Sequence, residues 1–591
     1  MLVDTITGLD QVSLQETHEM LRRMKARLDE ILAGSTLTEA SFAEATAIYD
    51  NVAYVFLYLE SNEEFVNYEW LLPYRDTFFR NAVDDARLLA LCGDLHCTDS
   101  DIEASRLAYV EHLTAKRNTD QSRTDRLEQL QASAKDIVRA GQRDQLDLLG
   151  RLGLDTRGGS PEALAYTLIS TTADASRRVK LSRAMEVLRD KRREALAEVI
   201  DRKISVRREI SKGLGHATVL SETLRRSSVP GDAIRRLIDA YVVTALQEHA
   251  ALESEIRETV TDTGPPMDHF GHYVRRLQGD LPVPLFDLRA CLAFLTEVAQ
   301  RVFGLRVREL PTSGTHVLTV SVSRGDEILG YINFDLWESD RKRIAANTTQ
   351  GIRNRADWGG IVQHPVAYVS CRFHRRPDGR DLITFQNVHS LFHEFGHAVN
   401  HILIRKRLPT QSGLDYLPLE RIENLSMWSE KWVYHPDLAE HFGLSAEERV
   451  GLDFCRRVKV LEYRRTHVDR AVTAALDFEV HGGAATGVRE AFDALDNRFG
   501  ISRHCDLGEF LPYFTWPMIN TNPGASFTYL WGAAASAEMF APLLTRRLSD
   551  LDPAEFEGTF TACFEFDEPS IAPDVQAVFD FYDATMKQSI S

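Results

Sequence analysis

The sequence predicts a mainly α-helical protein with one small β-sheet, and three observations carry that prediction. From about residue 12 to 250, apolar residues recur at three- and four-residue intervals with few prolines between them. Between Thr315 and Trp337, apolar and polar residues alternate on both sides of an Arg324-Gly325-Asp326 turn. Helical spacing then returns in a stretch beginning near Asn387.

Taken in order, the first half reads as successive, often long helices. Residues 107–138, LAYVEHLTAKRNTDQSRTDRLEQLQASAKDIV, show the pattern, with charged residues filling the faces that apolar residues leave. The segment Asp155-Thr156-Arg157-Gly158-Gly159-Ser160-Pro161 breaks it before a new cap-like start, as either a domain boundary or a loop. Composition changes at Thr261-Asp262-Thr263-Gly264-Pro265-Pro266 and again at Gly279 to Pro284, which suggests a helical region over 1–260 and a second region over 261–591. There, a helix over DLRACLAFLTEVAQRVFG precedes the alternating hairpin, and Tyr368 to Phe373 supplies a further strand.

Composition narrows the function classes. With 591 residues, 44 % of them hydrophobic, the chain has ample core material. Its 87 acidic against 69 basic residues give a formal charge of -18, which disfavours nonspecific attraction to nucleic acid or anionic membrane. The basic runs Arg177-Arg178-Val179-Lys180 and Lys191-Arg192-Arg193 read as solvated helix faces. Seven cysteines, Cys92, Cys97, Cys291, Cys371, Cys455, Cys505 and Cys563, lack metal-ligand spacing and read as buried free thiols. The first residues lack a leader pattern, and no stretch approaches the length of an apolar membrane span, so the expectation is a soluble cytoplasmic protein.

The chemistry concentrates in residues 391–400, LFHEFGHAVN. On a helix, His393 and His397 share a face and can present imidazoles to one ion, while Glu394 is displaced toward an attacking water. Leu391, Phe392, Phe395, Ala398 and Val399 make the helix apolar, so its polar side chains need partners inside the protein. Gly396 removes bulk beside the ion, at a helix-propensity cost of about 1 kcal/mol relative to alanine.

Catalytic zinc takes three protein ligands and leaves a position open. The third is expected from another helix, LERIENLSMWSEKW, where Glu423 and Glu430 lie seven residues apart on one face. One carboxylate can bind metal while the other orients a ligand imidazole. Spacing alone leaves Glu420 as a competing ligand. His364, His374 and His401 lie near the motif without ligand spacing and read as structural or substrate-contact residues.

LFHEFGHAVN followed by E-N-L-S-M-W-S-E-K-W resembles the M3 family of zinc oligopeptidases, the thimet oligopeptidase and oligopeptidase F group. Glu423, Ser426, Glu430 and Trp432 match the family's E-x-P-S-Q-x-x-E-x-W pattern, with Leu425 and Met427 replacing its proline and glutamine. GYINFDLW, HPVAYVSCRF, ALDFEVH and FTYLWGAAASAEMF extend the resemblance over roughly residues 280 to 560.

The resemblance implies an elongated, two-lobed, mainly α-helical zincin, with a small sheet beside the HExxH helix and a deep central channel. It implies one zinc per chain on His393, His397 and Glu423, with Glu430 behind them. Glu394 would move the proton, and Tyr529 would donate to the oxyanion. The implied activity is hydrolysis of internal bonds in short unstructured peptides; a monomer is the default expectation, and the net charge of -18 argues against nucleic acid or membrane as partner.

One loop departs from the pattern. Where many members carry a histidine and a tyrosine, this chain has Pro517 and Asn522 in WPMINTNPGASFTY. Asn522 can donate a hydrogen bond, whereas Pro517 offers no polar side chain. His481 and His504 are further substrate-contact candidates. The departure motivates two alternatives: a zinc enzyme acting on a specialised metabolite or modified peptide, and an inactive peptide-binding protein.

Overall fold

A computed structural model describes residues 14–61, 68–156, 160–260, 263–311, 317–339, 342, 347–376, 378–566 and 568–588. The first residues, Arg157 with its paired glycines, and Thr261-Asp262 therefore lie outside the described residues. The chain is mainly α-helical, as predicted, and among the described residues it holds one five-stranded sheet.

It divides into two compact units: 1–118, 284–444 and 539–570 form one, and 119–283, 445–538 and 571–591 form the other. The single cut near residue 260 read from composition differs from this division. Local composition reports where helices pause, whereas compactness is set by contacts between distant segments.

In the first unit the sheet comprises β1 (Arg306–Glu309), β2 (Leu318–Arg324), β3 (Glu327–Trp337), β4 (Thr348–Arg353) and β5 (Val366–Phe373). Their order is β1-β2-β3-β5-β4, with β3 and β5 parallel and the other pairs antiparallel. Gly325, at φ +59°, supplies the left-handed residue that closes the β2–β3 hairpin.

Side chains alternate between the two faces of the sheet. On one face Tyr331, Ile352, Val366 and Tyr368 join a core built from the N-terminal helices, including Leu21, Phe42, Tyr54 and Tyr58. On the other lies the helix Phe385–Leu403, capped by Thr384, whose hydroxyl accepts from the Asn387 N–H at 3.3 Å. Phe334 of β3 stacks on Phe395 of that helix with ring centroids 6.4 Å apart. His401 donates through Nε2–H to the Arg353 carbonyl oxygen at 2.8 Å and occupies the space above Gly351, where a Cβ would meet its ring at 2.5 Å. Sheet and helix are thereby fixed in register.

In the second unit the helices Gly231–Thr259 and Ala446–Gly482 pack along one another. Tyr241 stacks on His467, and Leu252 and Ile256 share a core with Phe270, Tyr273 and Leu461. In the basic run at 177–180, Arg177 and Lys180 are exposed as read, and Arg178 departs from that reading. Arg178 is buried and donates to His269 Nδ1 at 3.0 Å and to the Thr172 and Ala173 carbonyls, each at 2.8 Å. The seven cysteines are free, and all but the half-buried Cys97 are buried.

Candidate metal centre

The helix Phe385–Leu403 carries His393 and His397 one turn apart, with ring centroids 4.9 Å from each other. The chain then runs through a 3-10 turn at Leu419–Arg421 to Glu423, which occupies the N-cap of the short helix Asn424–Glu430. Glu423 is thus at a helix end, and the longer continuous helix expected from the apolar pattern is interrupted.

Glu423 Oε2 lies 3.4 Å from His393 Nε2 and 3.3 Å from His397 Nε2. A tetrahedron with metal–ligand bonds of about 2.1 Å has edges of about 3.4 Å. The donor chemistry also fits zinc: two imidazole nitrogens and a carboxylate oxygen converge, all within 4.8 Å of one another.

The surroundings orient these donors. Glu430 Oε2 lies 2.8 Å from His393 Nδ1, leaving Nε2 directed at Glu423. Glu430 Oε1 is 3.8 Å from His389 Nε2, one helical turn before His393. Ser426 donates to Glu423 Oε2 at 2.8 Å. Burial alone would lower the His393 pKa, but the Glu430 hydrogen bond and the charges of Glu423, Glu430 and Glu394 push it up to about 9. Burial would raise Glu423, yet His397, His393 and the Ser426 hydrogen bond bring it down to about 2. The cluster is thus strongly favourable for a positive charge between its carboxylates.

Glu394 is buried beside the pair, and Thr349 of β4 donates its hydroxyl to Glu394 Oε2 at 2.9 Å. Neither Thr349 nor His389 was singled out in the sequence. The i−4 spacing of His389 from His393 was a usable signal, but Thr349 reaches the site through sheet topology alone.

Gly396 acts differently from its predicted role. A Cβ there would lie 2.6 Å from the Leu425 carbonyl oxygen, 2.7 Å from Ser426 Cα and 2.8 Å from Ser429 Cβ. Its bareness lets the two ligand-bearing helices touch. Glu420, the rival ligand, is buried elsewhere and accepts from Ser570 at 3.0 Å. His364 packs edge-on to Tyr331.

The other predicted residues belong to the second unit. Tyr529 is half-buried on the helix Phe527–Phe540, between the fully buried Thr528 and Leu530. His481 is a correction to the sequence reading: it has no exposed surface, with Nδ1 2.8 Å from Asp477 Oδ1 and Nε2 3.2 Å from Arg207. It supports the loop from beneath and has no face for a substrate. Asp477 also accepts from the Gly524 N–H at 2.8 Å and the Ser526 N–H at 3.1 Å, clamping the start of the Tyr529 helix.

Pro517 opens the short helix Pro517–Thr521, where its missing N–H costs nothing. Asn522 accepts from Arg226 at 2.7 Å. His504 lies with His249 and Glu253.

The profile of Peptidase family M3 matches residues 169–505, so the chain belongs to that family. Oligopeptidase A of Escherichia coli is 31 % identical over 161 residues, 26 % of this chain and 23 % of the relative. The organellar oligopeptidase A of Arabidopsis thaliana is 23 % identical over 400 residues, 61 % of this chain and 50 % of the relative. The chain thus spans half or less of the length of these curated relatives. An X-ray structure of an oligoendopeptidase F shares the fold at TM-score 0.58 and 13 % identity, with 97 % of each chain covered. Another, described as an oligoendopeptidase F from Bacillus anthracis, gives 0.54 and 13 %, with 99 % of this chain and 97 % of the other covered.

The geometry sets a ranking for metal binding. Glu423→Ala is expected to remove the zinc equivalent held by the His393 centre, whereas Glu420→Ala retains it. Glu430→Gln is expected to weaken zinc about 10- to 100-fold, as loss of an outer-shell partner does. Metal analysis and competition with a chromogenic chelator measure both, and full zinc in the Glu423 variant would reassign the third ligand.

Proposed function

We propose that the protein is a zinc-dependent oligopeptidase that hydrolyses internal bonds of short unstructured peptides. The observation that carries this reading is the convergence of His393, His397 and Glu423 with a buried Glu394 beside them, in a chain of Peptidase family M3. Held by those three residues, zinc would supply Lewis acidity toward a peptide carbonyl and toward water.

The chain's own groups do the rest. Glu394, oriented by Thr349, takes a proton from the attacking water and delivers one to the leaving nitrogen. Tyr529 donates its hydroxyl to the oxyanion of the tetrahedral intermediate. Glu430 holds His393 in the tautomer that presents Nε2. We place the enzyme in the cytoplasm as a monomer. No described helix is long and apolar enough to cross a membrane.

The loop favours one second reading, a specialised metabolite or modified peptide as substrate. Pro517 and Asn522 are both committed to loop structure. Cleavage of a mixed short-peptide library separates the two. The zinc-loaded protein is expected to cleave library members at internal bonds, and Pro517→His with Asn522→Tyr to raise that rate. No cleavage by either chain, with zinc present, transfers the assignment to the specialised substrate.

A further inference from the structure

A second set of metal-ligating side chains stands in the other compact unit. His249 and Glu253 lie one turn apart on the helix Gly231–Thr259. His504 arrives from a distant segment. The helix Val488–Phe499 ends at Gly500, with φ +68°, and the 3-10 turn Ile501–Arg503 then delivers the histidine. His504 Nδ1 is 3.4 Å from Glu253 Oε2, and His249 Nε2 is 3.9 Å from Glu253 Oε1. One donor atom from each residue lies within 4.8 Å of the others.

The hydrogen-bond account makes this more than a chance meeting. The His249 side chain is 6 % exposed; one ring nitrogen faces the Arg465 backbone, and the other has no hydrogen-bond partner. His504 Nδ1 is also buried without one. A buried imidazole nitrogen left unpaired costs free energy unless something satisfies it. Its rings are arranged edge-on, with centroids 5.6 Å apart, so stacking does not occupy the nitrogens.

Arg465, on the helix Ala446–Gly482, faces His249, and its charge opposes a dication. Its guanidinium lies over the Phe270 ring at 5.0 Å, and the Glu253 carboxylate offsets its charge within the cluster.

We propose that His249, Glu253 and His504 form a second site for a zinc-class divalent transition metal, separate from the His393 centre. Two imidazoles and one carboxylate suit zinc, cobalt or nickel, whereas calcium and magnesium prefer oxygen donors throughout. The ion fastens the segment after Gly500 to the Gly231–Thr259 helix. That segment leads directly into the loop carrying Pro517 and Asn522, so its metal is a structural tie next to the loop that departs from the family pattern.

The test uses the full chain with His393→Gln and His397→Gln, which removes the first centre as a source of bound metal. That chain is expected to take up one equivalent of cobalt(II), with visible absorption bands of a nitrogen- and oxygen-ligated low-coordinate ion, and zinc is expected to raise its Tm by several degrees. Adding His504→Gln, a substitution at a partly exposed position, abolishes the bands, the equivalent and the Tm shift. The unsubstituted chain is expected to hold two zinc ions after dialysis against micromolar zinc. No cobalt bound by the double variant, or binding unchanged by His504→Gln, overturns the site. Neither result bears on the oligopeptidase reading, because zinc at the first centre and peptide cleavage are measured on the chain with Glu253→Gln alone.

Discussion

Glu394→Gln is expected to leave the fold and the zinc content intact while turnover of a saturating peptide falls at least about 10²-fold, the low end for a positioned acid–base group. The substitution isolates proton transfer. An amide oxygen can accept the Thr349 hydroxyl as the carboxylate does, so the side chain keeps its orientation. It cannot take a proton at neutral pH. The three donor atoms of the metal centre lie on other residues, so metal analysis should return the same stoichiometry for both chains. Full turnover in the Gln variant would end the hydrolytic assignment of Glu394.

Tyr529→Phe is expected to lower the chemical step by roughly 10²-fold with KM and zinc nearly unchanged, the signature of a contact made only in the transition state. The magnitude rests on the altered loop. Pro517 has no donor, and Asn522, held by Arg226 through its amide oxygen, offers only an N–H group on a shorter side chain than the tyrosine it replaces, so Tyr529 carries most of the developing charge. Single-turnover kinetics read the step directly. A variant that keeps its rate would move the oxyanion donor to a residue outside the family pattern, whereas a rise in KM alone would make Tyr529 a binding group.

The legible parts of the molecule were those governed by local rules. Spacing placed His393 and His397 on one face, and alternation around Arg324-Gly325-Asp326 marked the hairpin. Glu423 was not separable from Glu420 by spacing, and resemblance chose between them. The structure sends Glu420 to Ser570 and brings Glu423 to the histidines.

What escaped depends on pairing between distant segments. Thr349 meets Glu394 because its strand lies at the edge of the sheet next to the histidine helix. His249 and Glu253 have an i,i+4 spacing that is common on helices, and nothing local ties them to His504. His481 carried a family pattern, but only tertiary packing could reveal that it is sealed from solvent.

The contact at Gly396 bears on how such a protein could lose its chemistry. The loop can exchange histidine and tyrosine for proline and asparagine and still fold, because Pro517 suits the first position of its short helix and Asn522 finds a partner in Arg226. Position 396 answers to the backbone of another helix, with atoms 2.6 to 2.8 Å from where a methyl group would stand. A single added carbon would wedge the helices apart and draw Glu423 away from both imidazoles, while every ligand remained in the sequence. A descendant with alanine there would still carry the complete HExxH signature. Its motif would outlive its reactivity.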